Sequence, residues 1–161
     1  MKLYMKQKVF SFADRFYIKD EEGRDRYYVE GELFSWGKKL HVYDKSGQEA
    51  AFIQQKVWSF LPRFYVFIDG QEVAEIVQEL TFFKPSYSIE GPNWSVSGDF
   101  WDHEYEIYEG NDFVVSISKE WFTWGDSYVI DIADHVDERY ALAVVLAIDA
   151  VIAQASAAAS N

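Results

Sequence analysis

Three histidines, one carboxylate in an apolar run and a set of acids among tryptophans are the groups in this chain whose types suit chemistry, and their spacing limits what they can do. His41, His103 and His135 stand far apart, and no His-x-His or His-Glu-x-x-His spacing offers a metal site. His103 sits between Asp102 and Glu104 and can pair with either, so an acid/base role there rests on composition alone. Two carboxylates across a cleft lined by Trp94, Trp101, Trp121 or Trp124 would suit glycoside hydrolysis. Against that stands a lumen expected to be filled by the chain's own helix, with the tryptophans packed against it or between strands; nucleotide, acyl-transfer and thiol chemistry lack a glycine-rich phosphate loop, a Gly-x-Ser-x-Gly elbow and any cysteine. No catalytic residue, cofactor or metal is expected; a cryptic hydrolase using surface acids ranks third among the functional readings.

Asp149 is the most demanding of these groups, because an ionised carboxylate on a buried helix must be paired, hydrogen-bonded or protonated. It interrupts residues 140 to 153, a run apolar on every side, and shares a helical face with Leu142, Val145, Leu146 and Ile152. The run is shorter than the roughly 20 residues of a membrane span, and a central carboxylate costs about 2.5–3.5 kcal/mol in a bilayer. A helix buried in protein is therefore expected, with Asp149 tying it to its surroundings through backbone N–H groups, a hydroxyl or an arginine. A second reading makes Asp149 a switch whose neutralisation loosens the helix.

The elements that must enclose this helix are strands. Period-2 segments rich in Tyr, Phe, Val, Ile and Trp recur along the chain between turn signals such as Glu22-Gly23, Asp44-Lys45-Ser46-Gly47, Asp69-Gly70, Gly91-Pro92-Asn93 and Gly110-Asn111. They predict roughly twelve strands over residues 2–132, a central helix over about 135–155 capped by Asp134 and carrying His135 in its first turn, and a fraying tail to 161. The whole chain, 1–161, reads as one domain.

About twelve strands tilted near 40° close into a ring roughly 24 Å across, and side chains pointing inward leave room for one slim helix. Ala141, Ala143, Ala147, Ala150 and Ala153 keep the terminal helix slim. The fold expected is a closed antiparallel barrel around a buried hydrophobic C-terminal helix. An internal echo agrees: Val29-Glu30-Gly31-Glu32-Leu33-Phe34 matches Val96-Ser97-Gly98-Asp99-Phe100-Trp101, and Lys56, Trp58, Tyr65 and Val66 match Lys119, Trp121, Tyr128 and Val129 at one constant offset.

The segments Gly91-Pro92-Asn93-Trp94, Gly98-Asp99-Phe100-Trp101-Asp102, Tyr105-Glu106-Ile107, Trp124-Gly125-Asp126-Ser127-Tyr128 and Leu146-Ala147-Ile148-Asp149 resemble those of the LURP-one-related family, which is similar in fold to tubby C-terminal domains and phospholipid scramblases. The resemblance implies a twelve-stranded barrel around a central helix. It also implies two activities to look for. One is phosphoinositide headgroup binding in a basic cleft, for which the nearest feature is Lys2, Lys6 and Lys8 on one side of the first strand. The other is calcium-linked lipid transport, but Asp20-Glu21-Glu22 lacks the alternating ligands of a calcium loop and no cysteine is available for lipidation.

Composition narrows the partners. The 27 acidic and 15 basic residues give a net charge of −12, which argues against a nucleic-acid partner. The first ten residues contain no apolar signal segment, so a cytoplasmic chain without a transmembrane span is expected. The function expected is a non-enzymatic binding or adaptor module with a protein or a membrane lipid as partner, phospholipid or phosphoinositide binding being the alternative.

Overall fold

A computed structural model describes residues 1–6, 15–32, 35–122 and 125–160, with the side chains of 121, 122, 125 and 126 outside the description. Twelve strands form in chain order: β1 (Lys2–Met5), β2 (Arg15–Lys19), β3 (Asp25–Gly31), β4 (Lys39–Asp44), β5 (Glu49–Gln55), β6 (Arg63–Ile68), β7 (Gln71–Glu79), β8 (Ser86–Glu90), β9 (Trp94–Asp99), β10 (Glu104–Glu109), β11 (Asp112–Phe122) and β12 (Gly125–Ile132). One helix, α1 (Glu138–Ala159), follows.

Every ladder is antiparallel, and sequence neighbours are sheet neighbours, with β1 and β12 joining the two ends of the chain's meander. β8 and β9 are the outer members of this order. The barrel is therefore nearly closed rather than closed, with a seam between these two strands. Side chains bridge that seam: the Phe100 ring meets Tyr87 edge-on at 4.8 Å between centroids.

Alternation along the strands carries the core. Leu3, Met5, Ile18, Val29, Leu40, Val42, Ile53, Phe64, Val66 and Ile76 point inward and are buried, while their neighbours face solvent. The interior they line is filled by α1, whose residues 141–152 are all buried. Each large side chain in that stretch contributes about 1.5–3 kcal/mol through burial. This helix is long and apolar enough to cross a membrane, with a mean hydropathy of 2.0, yet its stretch 141–152 is enclosed by the chain's own sheet.

Its start differs from the expectation. Asp137, not Asp134, caps the helix, accepting from the Arg139 N–H at 2.9 Å, while Asp134 turns 3.5 Å from the terminal amine of Met1. His135 consequently lies in an exposed turn before the helix rather than in its first turn. At its other end the helix runs a few residues beyond the expected 155, to Ala159, as the high helix propensity of alanine favours.

The helix entrance is clamped from several strands. Arg26 makes a two-pronged pair with Glu138 at 2.9 Å each, Arg139 reaches Asp69 at 3.2 Å, the Tyr140 hydroxyl donates to the Val73 carbonyl at 2.8 Å, and Trp94 stacks on Tyr140 at 4.6 Å. The sequence echo falls on strands six apart in the ring, β3 with β9 and β5–β6 with β11–β12. The hairpin registers differ, however: Tyr65 faces Gln54 whereas Tyr128 faces Lys119.

An up-and-down barrel separates its connections by parity. Those leaving odd-numbered strands lie at one end, which we call the loop end, and those leaving even-numbered strands lie at the other, the turn end. Because β12 runs toward the turn end, α1 enters there and its last turns emerge at the loop end. The turn end carries tight polar connections such as Asp69-Gly70, where both residues have positive φ, the signature of the two-residue hairpin expected from sequence.

Gly98 shows how little room the wall allows. Its φ is 135°, it faces Tyr105 across the β9–β10 ladder, and a Cβ there would lie 2.4 Å from the Glu104 carbonyl oxygen. Gly98→Ala should cost more than about 2 kcal/mol in urea unfolding. An unchanged midpoint would show that the β9–β10 ladder relaxes freely.

Candidate functional site

Among the described residues only His103, Ser127 and Asp149 are polar side chains in the buried class. Two of them meet. His103 Nδ1 contacts Asp149 Oδ1, with the residues 3% and 1% exposed. Asp149 is buried on the helix, and it meets a histidine, a kind of partner not among those anticipated for it. His103 lies between Asp102 and Glu104 in sequence, but its ring turns inward to the helix.

The short β9–β10 connection delivers it. Asp99 accepts through one carboxylate oxygen from the N–H groups of Trp101 and Asp102, at 3.0 and 3.3 Å, which folds the chain back at once. Phe100 is then buried, Trp101 and Asp102 are exposed, and His103 adopts φ 55°, a left-handed conformation that histidine enters more readily than most residues. The His103 ring stands edge-on to Tyr128 at 5.6 Å. Tyr105 lies alongside, its hydroxyl donating to the Val145 carbonyl at 3.4 Å. Burial, then the nearby Asp149 charge, pushes the Tyr105 phenol well above its ordinary range, so it stays protonated.

Ser127 does not complete a nucleophilic set with this pair. Tyr128 shares the inward face of β12 with Ile130, and strand alternation puts Ser127 on the opposite face. There it borders a cavity of about 640 Å³ with Tyr4, Lys6, Tyr17, Lys19 and Asp20. The buried cluster joins the β9–β10 connection to the helix, and its members are almost wholly shut off from solvent.

The remaining sequence candidates scatter. Lys2 in β1 and Lys6 just beyond it are both exposed, but Lys2 lies at the turn end, with Asp131 opposite it and its own N–H donating to Glu21, while Lys6 lies at the loop end. Lys8 lies outside the described residues. Asp20 and Glu22 face Arg24 at 2.9 and 2.8 Å rather than converging on a point. Among the described residues no group of three or more His, Asp or Glu side chains is placed to hold a metal ion. Trp94 and Trp101 stand at opposite ends of β9 and share no cleft; Trp121 and Trp124 side chains lie outside the description.

His41 was legible only as an isolated histidine, yet it bridges two carboxylates from β4's surroundings, Glu49 at Nδ1 and Glu32 at Nε2, both at 2.7 Å. Partial burial opposes its charge, but the two carboxylates outweigh that and raise its pKa above 6.5.

The loop end holds what the sequence reading missed. Trp36, Trp58, Phe60, Leu80, Phe82 and Phe83 are 77–99% exposed, Trp101 is 65% exposed, and all seven stand on connections out of odd-numbered strands. The signal was present as a parity: aromatic pairs occupy every second inter-strand segment, while the intervening ones hold Asp, Glu, Gly and Asn.

A nearly closed barrel of twelve antiparallel strands filled by a terminal apolar helix is the tubby-like fold. The family model described as LURP-one-related matches residues 1–149, and the chain belongs to that family. It is 40% identical over 152 residues to the uncharacterized protein YxjI of Bacillus subtilis (strain 168), covering 94% of each. An X-ray structure of an Arabidopsis thaliana protein superposes with a TM-score of 0.62 at 17% identity, covering 93% of this chain and 91% of that one, which shows the shared fold.

Removing one member of the buried pair leaves the other uncompensated. His103→Ala and Asp149→Ala should each destabilise by about 3–5 kcal/mol, and the double variant should fall well short of the sum in a double-mutant cycle. Additive losses would mean that the two side chains do not interact.

For His41 the raised pKa sets the sign. Its ion pairs stabilise the fold fully below pH 6.5, and this contribution, at most about 1 kcal/mol for a partly exposed cluster, is lost as pH rises through the raised value. The urea midpoint should decline slightly from pH 6 to 8, and His41→Gln should abolish that share of the decline; an identical slope in both proteins would contradict the assignment.

Proposed function

We propose that this domain is a non-enzymatic binding module whose docking face is the loop end of the barrel. One observation carries the reading: the concentration there of large apolar side chains that the fold does not use. Single exposed hydrophobic residues are ordinary, but a cluster confined to one end of a molecule marks an interaction surface. Covering any one of these side chains contributes about 1.5–3 kcal/mol, more than a typical surface ion pair at 0–1 kcal/mol, so recognition at this end is apolar in character.

Backbone geometry supports the same face. Trp58 has φ 64° while 92% exposed. A bulky residue held in the left-handed region costs on the order of 1–2 kcal/mol and gains no burial here in return, the kind of strain that accompanies functional loops. The interior offers nothing comparable: the helix fills it, and its histidine–carboxylate pair is sealed off.

The test is in-cell crosslinking. A photoreactive phenylalanine analogue at Trp58 or Phe82 should yield adducts on irradiation, while the same group at Lys45 or Asn111, on the turn end, should not. Adducts from the turn-end positions alone would overturn the proposal.

A further inference from the structure

Resting on that reading of the loop end, we infer that its occupant is the interfacial zone of a phospholipid bilayer, entered by the aromatic loop tips without a dedicated headgroup pocket. The first argument is shape. The exposed side chains come from four separate connections spaced around the rim of a barrel roughly 24 Å across. Phe82 and Phe83 are consecutive and 99% and 98% exposed, so neither lies down on the fold to make a flat or grooved patch. Tips that project independently match a planar, deformable surface that meets all of them at once.

The second argument is residue type. Trp and Phe on a polar scaffold suit the boundary between headgroups and acyl chains. The emerging helix adds apolar material at the same place: Ile152, Ala155 and Ala159 border a cavity of about 280 Å³ together with Phe82, Phe83 and Trp101.

Charge placement is the third. A net charge of −12 opposes approach to an anionic surface, but Asp20, Glu22, Asp44, Glu109, Asp112 and Asp134 cluster at the turn end. Strands of about six residues put that end roughly 20 Å away, twice the distance over which physiological salt screens a charge. Beside the aromatic loops, Lys38, Lys56 and Lys84 stand among Glu79, Asp102 and Glu104, a near-neutral mixture. Attachment is therefore to neutral lipid, weakly dependent on salt and independent of Lys6.

The test uses the full chain with vesicles of phosphatidylcholine, with and without brominated acyl chains. Wild type should co-sediment with similar partitioning at 0.15 and about 0.5 M salt, and bromolipid should quench its tryptophan fluorescence. Trp58→Ser/Phe60→Ser and Phe82→Ser/Phe83→Ser should each lower partitioning by about 100-fold, a factor of roughly ten per aromatic, while their melting temperatures stay at the wild-type value because the removed side chains pack on nothing. Lys6→Ser should bind as wild type does.

Binding confined to anionic vesicles and abolished by salt or by Lys6→Ser would overturn the inference in favour of headgroup recognition. Absence of vesicle binding, with dimers in sedimentation velocity that the double substitutions dissociate, would overturn it in favour of a second copy of the chain and leave the loop end as the docking face. Absence of vesicle binding together with no crosslinks from Trp58 or Phe82 would remove both readings.

Discussion

A helix that is apolar on every side tolerates neither water nor a half-open surface, and that constraint organises the rest of this protein. Residues 141–152 of α1 are buried on all faces, so the sheet around them must curl until its ends nearly meet. The barrel in turn has no core of its own without the helix, since its inward side chains would line an empty lumen. Neither element is a finished structure alone. The polar ties at the helix entrance, Arg26–Glu138, Arg139–Asp69 and Tyr140–Val73, then fix depth and rotation rather than supply the driving force.

The same constraint separates structure from function along the sequence. The run Gly98-Asp99-Phe100-Trp101-Asp102, which carries much of the family resemblance, is explained almost residue by residue as a turn: Gly98 admits the close approach of β10, Asp99 closes the reversal, Phe100 plugs the seam, and the next inward residue is His103. Leu146-Ala147-Ile148-Asp149 supplies the partner on the helix. Tyr128 of a third shared segment packs on the His103 ring. Three segments distant in sequence thus converge on one internal tie, and their resemblance to the family reports the fold. Trp101 and Asp102 of the run face solvent at the loop end.

Much of the architecture is legible from local pattern, because strand alternation, Asp-Gly and Asn-containing turns and an unbroken apolar helix are properties of short segments. Asp149 was equally conspicuous, since a carboxylate amid Leu, Val and Ile must find a partner. Its partner was not, because His103 lies on a turn whose direction depends on backbone angles that no spacing rule encodes, and its acidic neighbours were more obvious candidates. The helix start moved from Asp134 to Asp137 for a similar reason: both acids suit a cap, and the clamp on Glu138 and Arg139 decides between them. Alternation alone puts the lysines at 2, 6 and 8 on one side of an expected strand, but the topology sets Lys2 and Lys6 at opposite ends of the barrel. The loop end escaped notice because each aromatic pair reads as the edge of a strand, and only the topology gathers alternate connections together.

The claim that helix and barrel form one cooperative unit is tested most directly by native-state hydrogen exchange on the helix. Amides of Ala143 through Val151 should exchange only through global unfolding, with the same free energy and denaturant dependence as the most protected amides of β6 and β12. Helix amides that exchange through a smaller opening, while those strands remain protected, would show that the barrel stands without its core and would contradict the account.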